Sequence, residues 1–264
     1  MRTRLIFGII AACIFLGCMW LGPWWYSGLL FILAIIGMLE WNKINALNDS
    51  LLMQVISICG LALLVLPWST LGVFVWLKPE LLVWLLMLIL LALTVLSNNR
   101  IPYTRVANLF MGIVYIGFGF HYMIYTAFMN EHGMYYALMI YLIIWSTDSG
   151  AYFIGSAMGK NKLIPSISPN KTIEGAVGGI VVAIVVALLL SRVAPETMPI
   201  AQAIVLGAVI GIFAELGDLI QSAYKRVIGV KDSGNFMPGH GGVLDRVDSW
   251  LIVFPIVIIL GFVH

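Results

Sequence analysis

Nine apolar stretches follow one another along the chain, near residues 5–22, 24–39, 51–67, 81–97, 106–128, 134–158, 173–193, 199–221 and 249–263. Each approaches the ~20 mostly apolar residues that a helix needs to cross a bilayer. Of the 264 residues, 62% are hydrophobic before the 26 glycines are counted, and only 10% are charged. A soluble globule of this size has too little interior for that many apolar side chains. Disorder, a collagen-like chain and a disulfide-stapled secreted domain are excluded with it. The expected fold is an all-α, polytopic integral membrane protein of about nine transmembrane helices, multi-pass in the cell membrane. Residues 1–130 read as transmembrane scaffold without a polar constellation. Residues 131–264 read as transmembrane helices joined by cytoplasmic catalytic loops.

The basic residues orient the chain, because Lys and Arg collect on the cytoplasmic side of short loops. With nine alternating spans, the N-terminal side holds twelve of the fourteen Lys and Arg, and the opposite side holds only Lys78 and Arg192. That places the N-terminus in the cytoplasm and the C-terminus outside. The opening Met1-Arg2-Thr3-Arg4 and the apolar run to Cys18 imitate a lipoprotein signal. Phe15 and Leu16 suit lipid attachment poorly, and Trp20 to Trp25 continue apolar, so the run reads as the first span. Cys13, Cys18 and Cys59 lie in apolar runs and read as packing residues.

The chain has twelve acidic residues. Asp148, Glu174, Glu215 and Asp218 fall within or at the mouths of spans, where an ionisable group is costly and marks a wet cavity or a partner. Glu215, Asp218, Ser222 and Arg226 are spaced three, four and four apart, along one face of a continuing helix. The segment 222–248 is the densest in charge. It carries Lys225, Arg226, Lys231 and Arg246 against Asp232, Asp245 and Asp248, with Gly239-His240-Gly241-Gly242 between them. Glycine backbone there can approach a ligand closely. Carboxylates from Asp218, Asp245 and Asp248 suit a hard divalent cation, and the cations suit a polyphosphate. A helix cap and a juxtamembrane basic patch are the plainer alternatives.

Around Ser168-Pro169-Asn170-Lys171-Thr172, Ser168 reads as the N-cap and Pro169 as the first residue of the seventh span, making an anion site of the helix start. Gly155 to Lys160 imitates a P-loop but is one residue short, has Asn161 where Ser or Thr belongs, and follows a membrane helix. Gly175-x₃-Gly179 and Gly207-x₃-Gly211 permit close helix packing without establishing a dimer.

The segment Ser222 to Asp248 resembles the signature of the phosphatidate cytidylyltransferases, or CDP-diacylglycerol synthases. The matching residues are Ser222, Lys225, Arg226, Lys231, Asp232, Pro238, His240, Gly241, Gly242, Asp245, Arg246 and Asp248. Asp148-Ser149-Gly150-Ala151-Tyr152 and Ser168 to Thr172 with Glu174-Gly175 are similar to the same family. The resemblance implies a Mg²⁺-dependent membrane enzyme (one metal ion or two), dimeric, that makes CDP-diacylglycerol and pyrophosphate from CTP and phosphatidic acid for phospholipid biosynthesis. It implies a catalytic set of Asp218, Asp245, Lys225, Arg226 and His240. Asn170, Lys171, Ser222, Lys231, Gly241, Gly242 and Arg246 would bind substrate, and Asp218, Asp245, Asp248 and Asp148 would hold metal. A related enzyme using CTP with a polyprenol or ether lipid, and a transporter with intramembrane carboxylates, are the competing readings. No nucleic-acid partner is expected.

Overall fold

The structure, a computed structural model, describes residues 2–68, 72–73, 76, 78–193, 198–236 and 241–263, with backbone alone for residues 2–5. Its described residues form nine helices and one small hairpin: α1 Arg2–Leu21, α2 Pro23–Ile44, α3 Leu51–Val65, α4 Pro79–Leu96, α5 Tyr103–Phe128, α6 Gly133–Met158, β1 Lys162–Ile164, β2 Ser168–Thr172, α7 Ile173–Val193, α8 Ile200–Ile228 and α9 Leu244–Ile259. Each helix overlaps one of the nine expected apolar stretches. Six of them, α2 and α4 through α8, are long and apolar enough to cross a membrane. The described apolar part of α1, Ile6–Leu21, and α3 are shorter, and α9 carries Pro255 within its 16 residues.

Two compact units emerge, one of residues 1–128 with 232–245, the other of residues 129–231 with 246–264. In the first, α2 turns a stripe of Tyr26, Leu30, Ala34, Met38 and Trp41 into the interior, all 3% exposed or less. Their spacing of four, four, four and three is that of one helix face. Helix α5 answers with Leu109, Ile113, Ile116 and Phe120. Gly112 lets α5 press against the Trp41 indole, whose Nε1 donates to the Asn108 carbonyl at 3.0 Å. In the second unit, Gly175, Gly178 and Gly179 of α7 lie against α6, and Gly207 and Gly211 of α8 lie against Ile184 and Ile180 of α7. The small-residue spacings are therefore consumed within the chain.

The outward side of α7 is a stripe of Val177, Val181, Val185 and Leu189, each about half exposed. Such a stripe is unfavourable in water and costs nothing against lipid.

Two boundaries differ from expectation in ways that bear on function. Helix α8 continues past residue 221 to Ile228, and ends where Gly229 turns left-handed (φ 81°) and donates to the Lys225 and Arg226 carbonyls. It therefore carries Ser222, Lys225 and Arg226 on helix rather than loop. The second is a correction. Ser168 and Pro169 do not begin α7; they lie in β2, which pairs antiparallel with β1, Ile164 opposite Ser168 and Lys162 opposite Thr172. Helix α7 starts at Ile173, capped by Thr172, whose Oγ1 accepts the Gly175 N–H at 3.1 Å. Glu174 favours the hairpin by accepting the Lys160 and Asn161 amides (3.1 and 3.2 Å) and the Asn161 Nδ2 (2.7 Å).

Candidate active site

In the second unit, Glu215 and Asp218 stand one turn apart on α8. The Lys171 Nζ, brought in by β2, donates to Glu215 Oε2 at 2.6 Å and reaches Asp218 Oδ2 at 2.7 Å. Glu215 is buried and Lys171 is largely covered, while Asp218 is partly open. Burial works against the lysine charge, but the two carboxylates outweigh it and hold its pKa above the ordinary 10.5. Lys171 is therefore a fixed cation at neutral pH. Ser222, one turn on, directs its hydroxyl to Asp218 Oδ1 at 3.3 Å.

Two further acids join this group. Asp148 of α6 interacts electrostatically with Glu215, Lys171 and Asp218. Asp248 of α9 interacts with Asp218, Asp148 and Lys225. Asp248 is set in place by backbone packing: Gly217 lies so close to the Asp248 and Ser249 main chain that a Cβ there would stand 2.8 Å from the Asp248 carbonyl oxygen. The Ser249 hydroxyl then donates to the Ala214 carbonyl at 3.1 Å. The expected face of Glu215, Asp218, Ser222 and Arg226 is thus real. Its last member turns to the hairpin, with Arg226 Nε donating to the Ile167 carbonyl at 3.2 Å. Asn170, Lys231 and Arg246 are exposed, as a ligand contact from solvent requires. Gly155 to Lys160 closes α6 and leads into β1, with no strand before it.

The first unit contains its own acid cluster. Asp245 Oδ2 accepts the Ser233 N–H at 2.8 Å, the Gly242 N–H at 2.9 Å and the Ser233 hydroxyl at 3.0 Å. Glu40 of α2 accepts the Val243 N–H on Oε1 (2.9 Å), and the Leu244 N–H and Ser233 hydroxyl on Oε2 (both 3.0 Å). The cap reading, a plainer alternative from the sequence, is thus realised by both acids at the start of α9. Gly242 does allow a close approach, but the approaching group is protein: a Cβ there would collide with Glu40 and Ser233. Gly241 takes φ 86° beside Asp245. Glu40 lies in the half read from the sequence as scaffold without a polar constellation, and it joins Ser233 and Asp245 in one. Its place three residues before Lys43 imitates an exposed helix pair, yet Glu40 is 8% exposed and Lys43 lies open. His240 and Pro238 of the signature lie outside the described residues.

A helix bundle with this acid and lysine chemistry at helix ends and hairpin agrees with the comparisons. The model of the Cytidylyltransferase family matches residues 2–264. The chain belongs to that family. Among its cytidylyltransferase relatives is a Staphylococcus saprophyticus protein named phosphatidate cytidylyltransferase, 37% identical over 262 residues that cover 98% of each chain. A Bacillus subtilis protein of the same name is 38% identical over 266 residues, 97% of this chain and 95% of its own. One from Staphylococcus aureus is 37% identical over 260 residues, 98% of each. For a cytidylyltransferase the donor chemistry decides whether a metal fits. Among the described residues no three acids or histidines converge at ligand spacing. The carboxylates of Asp148, Glu215, Asp218 and Asp248 interact with one another and are the hard oxygens that Mg²⁺ takes. By donor type the set suits a divalent cation.

Proposed function

We propose that this chain is a CTP:phosphatidate cytidylyltransferase of the cell membrane, releasing pyrophosphate and leaving CDP-diacylglycerol in the bilayer. The observation that supports the reaction best is the cluster of Lys171 from β2 with Glu215 and Asp218 of α8, about two turns before the lysine and arginine of the signature. The phosphatidate is a phosphate monoester with a second pKa near 6, so most of it is dianionic at neutral pH and needs no general base. One of its oxygens attacks the α-phosphorus of CTP in line, the bond to the bridging oxygen breaks, and pyrophosphate leaves with that electron pair. The work left to the protein is positioning and charge neutralisation.

Asp218, with Asp148 and Asp248, would hold Mg²⁺, and the signature alone assigns Asp245 to metal binding. When bound, the ion supplies charge neutralisation on the triphosphate. Lys225, Arg226, Lys231 and Arg246 attract and orient the phosphates, with Lys171 fixed among the acids. Ser222 and Asn170 supply hydrogen bonds, Gly241 and Gly242 shape the loop, and His240 donates to a phosphate. Nine spans, a cytoplasmic N-terminus and an external C-terminus follow from the twelve-to-two distribution of basic residues, which brings these loops to the side where CTP is found. The working form is a homodimer.

The test is purified protein in mixed micelles with cytidine-labelled CTP, phosphatidic acid and Mg²⁺. The expected result is label in the organic phase only when phosphatidate and metal are both present. Label transferred to a polyprenol phosphate and not to phosphatidate would overturn the lipid assignment. Crosslinking across the membrane-embedded protein in vesicles should give a dimer, and a monomer active at all dilutions would remove that part of the reading.

A further inference from the structure

Glu40 is a buried carboxylate in an apolar half of the chain, at the last turns of α2. A carboxylate there is costly unless donors surround it. Its donors come from 193 to 204 residues away in sequence: the Val243 and Leu244 amides and the Ser233 hydroxyl, at 2.9, 3.0 and 3.0 Å. The two amides belong to the start of α9, where helix N–H groups have no partner within the helix and the dipole favours negative charge. Bonds of this kind to an ionised acceptor are about twice as strong as neutral ones.

The surrounding sequence is cut to admit this one side chain. A Cβ at Gly234 or at Gly242 would meet the Glu40 carboxylate, and Gly37, one turn earlier on α2, lets the Leu244 side chain lie against the helix. Ser233, 1% exposed, links the second acid to the first: its hydroxyl lies 3.0 Å from both Glu40 Oε2 and Asp245 Oδ2, and its N–H also holds Asp245. The single hydroxyl proton serves two carboxylates, so moving Glu40 changes what Asp245 receives.

We propose that Glu40 is a positioning residue for the transfer reaction: from α2 it fixes Ser233 and the start of α9 and so sets Gly241, Gly242 and Asp245 in place. The inference rests on the cytidylyl-transfer reading, and its effect passes through Asp245 rather than through contact with substrate. Glu40 fills a role that a neutral side chain of the same size cannot, because three donors converge on its two oxygens and a glutamine amide would turn a donor toward one of them.

The experiment uses the full-length protein in detergent with Glu40→Gln, Glu40→Asp and Ser233→Ala, alone and combined. Three quantities are read: kcat and KM per monodisperse molecule, the thermal midpoint, and amide hydrogen exchange over 232–245. Glu40→Gln is expected to lower kcat at least tenfold with KM for CTP changed less than threefold, and to speed exchange over 232–245 while α5 and α7 keep their protection. Glu40→Asp, which keeps the charge, is expected to recover part of the lost kcat. Adding Ser233→Ala to Glu40→Gln is expected to cost less than the two losses multiplied. Faster exchange with unchanged kcat would make Glu40 a structural clamp and overturn the positioning role. Unchanged exchange with an active parent would overturn the clamp as well. A parent enzyme that transfers no cytidylyl group, with exchange still faster in Glu40→Gln, would overturn the reaction and leave the clamp standing. If Glu40→Gln does not fold, Ser233→Ala carries the same test, since it removes the link to Asp245 without burying a new polar group.

Discussion

The two units satisfy their acids in opposite ways. In the first, both oxygens of Glu40 and the Oδ2 of Asp245 accept from backbone amides and one hydroxyl, neutral donors that leave the negative charge in place. In the second, Glu215 and Asp218 are held by a lysine, and Asp148 and Asp248 interact electrostatically with that group, Asp248 with Lys225 as well. An acid ringed by amides organises backbone, whereas acids gathered around a lysine can still take up a metal or exchange the lysine for one.

Removing an acid of the second kind should do the greatest damage. Asp218→Asn is expected to lower turnover by at least a thousandfold while the thermal midpoint stays close to that of the parent, since the residue is partly open. A variant within threefold of the parent would sink the metal assignment. The lysine comes next. Lys171→Met leaves Glu215 buried without its cation and should cost on the order of 3 kcal/mol. Adding Glu215→Gln should return much of that loss, which denaturation in detergent would show as a double-mutant cycle.

An acid of the first kind should give a smaller and differently shaped effect. Asp245→Asn keeps the size but turns a donor toward Ser233 and Gly242, at a cost of ~1–2 kcal/mol, with turnover falling at least tenfold. Losses equal to those of Asp218→Asn, with no loss of stability, would break the comparison and make the two acids alike in function.

The Lys171 charge gives a pH test with a definite sign. Its pKa is raised in the folded protein, so its stabilising effect is complete below the ordinary value of 10.5 and disappears as pH rises through the higher folded value. The stability difference between the parent and Lys171→Met should be flat from pH 7 to 9.5 and shrink only in stronger alkali. Shrinkage already near pH 8 would mean that the two carboxylates do not hold the lysine. The smallest effect belongs to Glu131→Gln, on an exposed side chain, which should stay within about 0.5 kcal/mol in stability and leave turnover unchanged.

Much of this was legible in the chain because hydropathy and helical spacing are local. The nine apolar stretches announce nine helices, and the spacing of Glu215, Asp218 and Ser222 announces one face of α8. Ser168-Pro169 misled for the opposite reason. The pair is a sound helix start by local rules, yet the ladder to β1 and the reach of Glu174 back to Asn161 decide the matter, and both are tertiary. Glu40 was illegible on the same ground. Its three donors lie 193 to 204 residues away, and Lys43 at the next turn gives it the look of an ordinary surface pair. Among the glycines, Gly242 signalled that something comes close without saying what; the visitor is a carboxylate of the protein itself.

The most direct measurement follows two positions of label in CTP with one phosphatidate-containing micelle. Cytidylyl transfer predicts that α-phosphorus label enters the lipid, that γ-phosphorus label stays in water as pyrophosphate, and that Asp218→Asn abolishes the first. Label from the γ-phosphorus appearing on lipid would mean a CTP-dependent kinase, and would contradict the reading of this site.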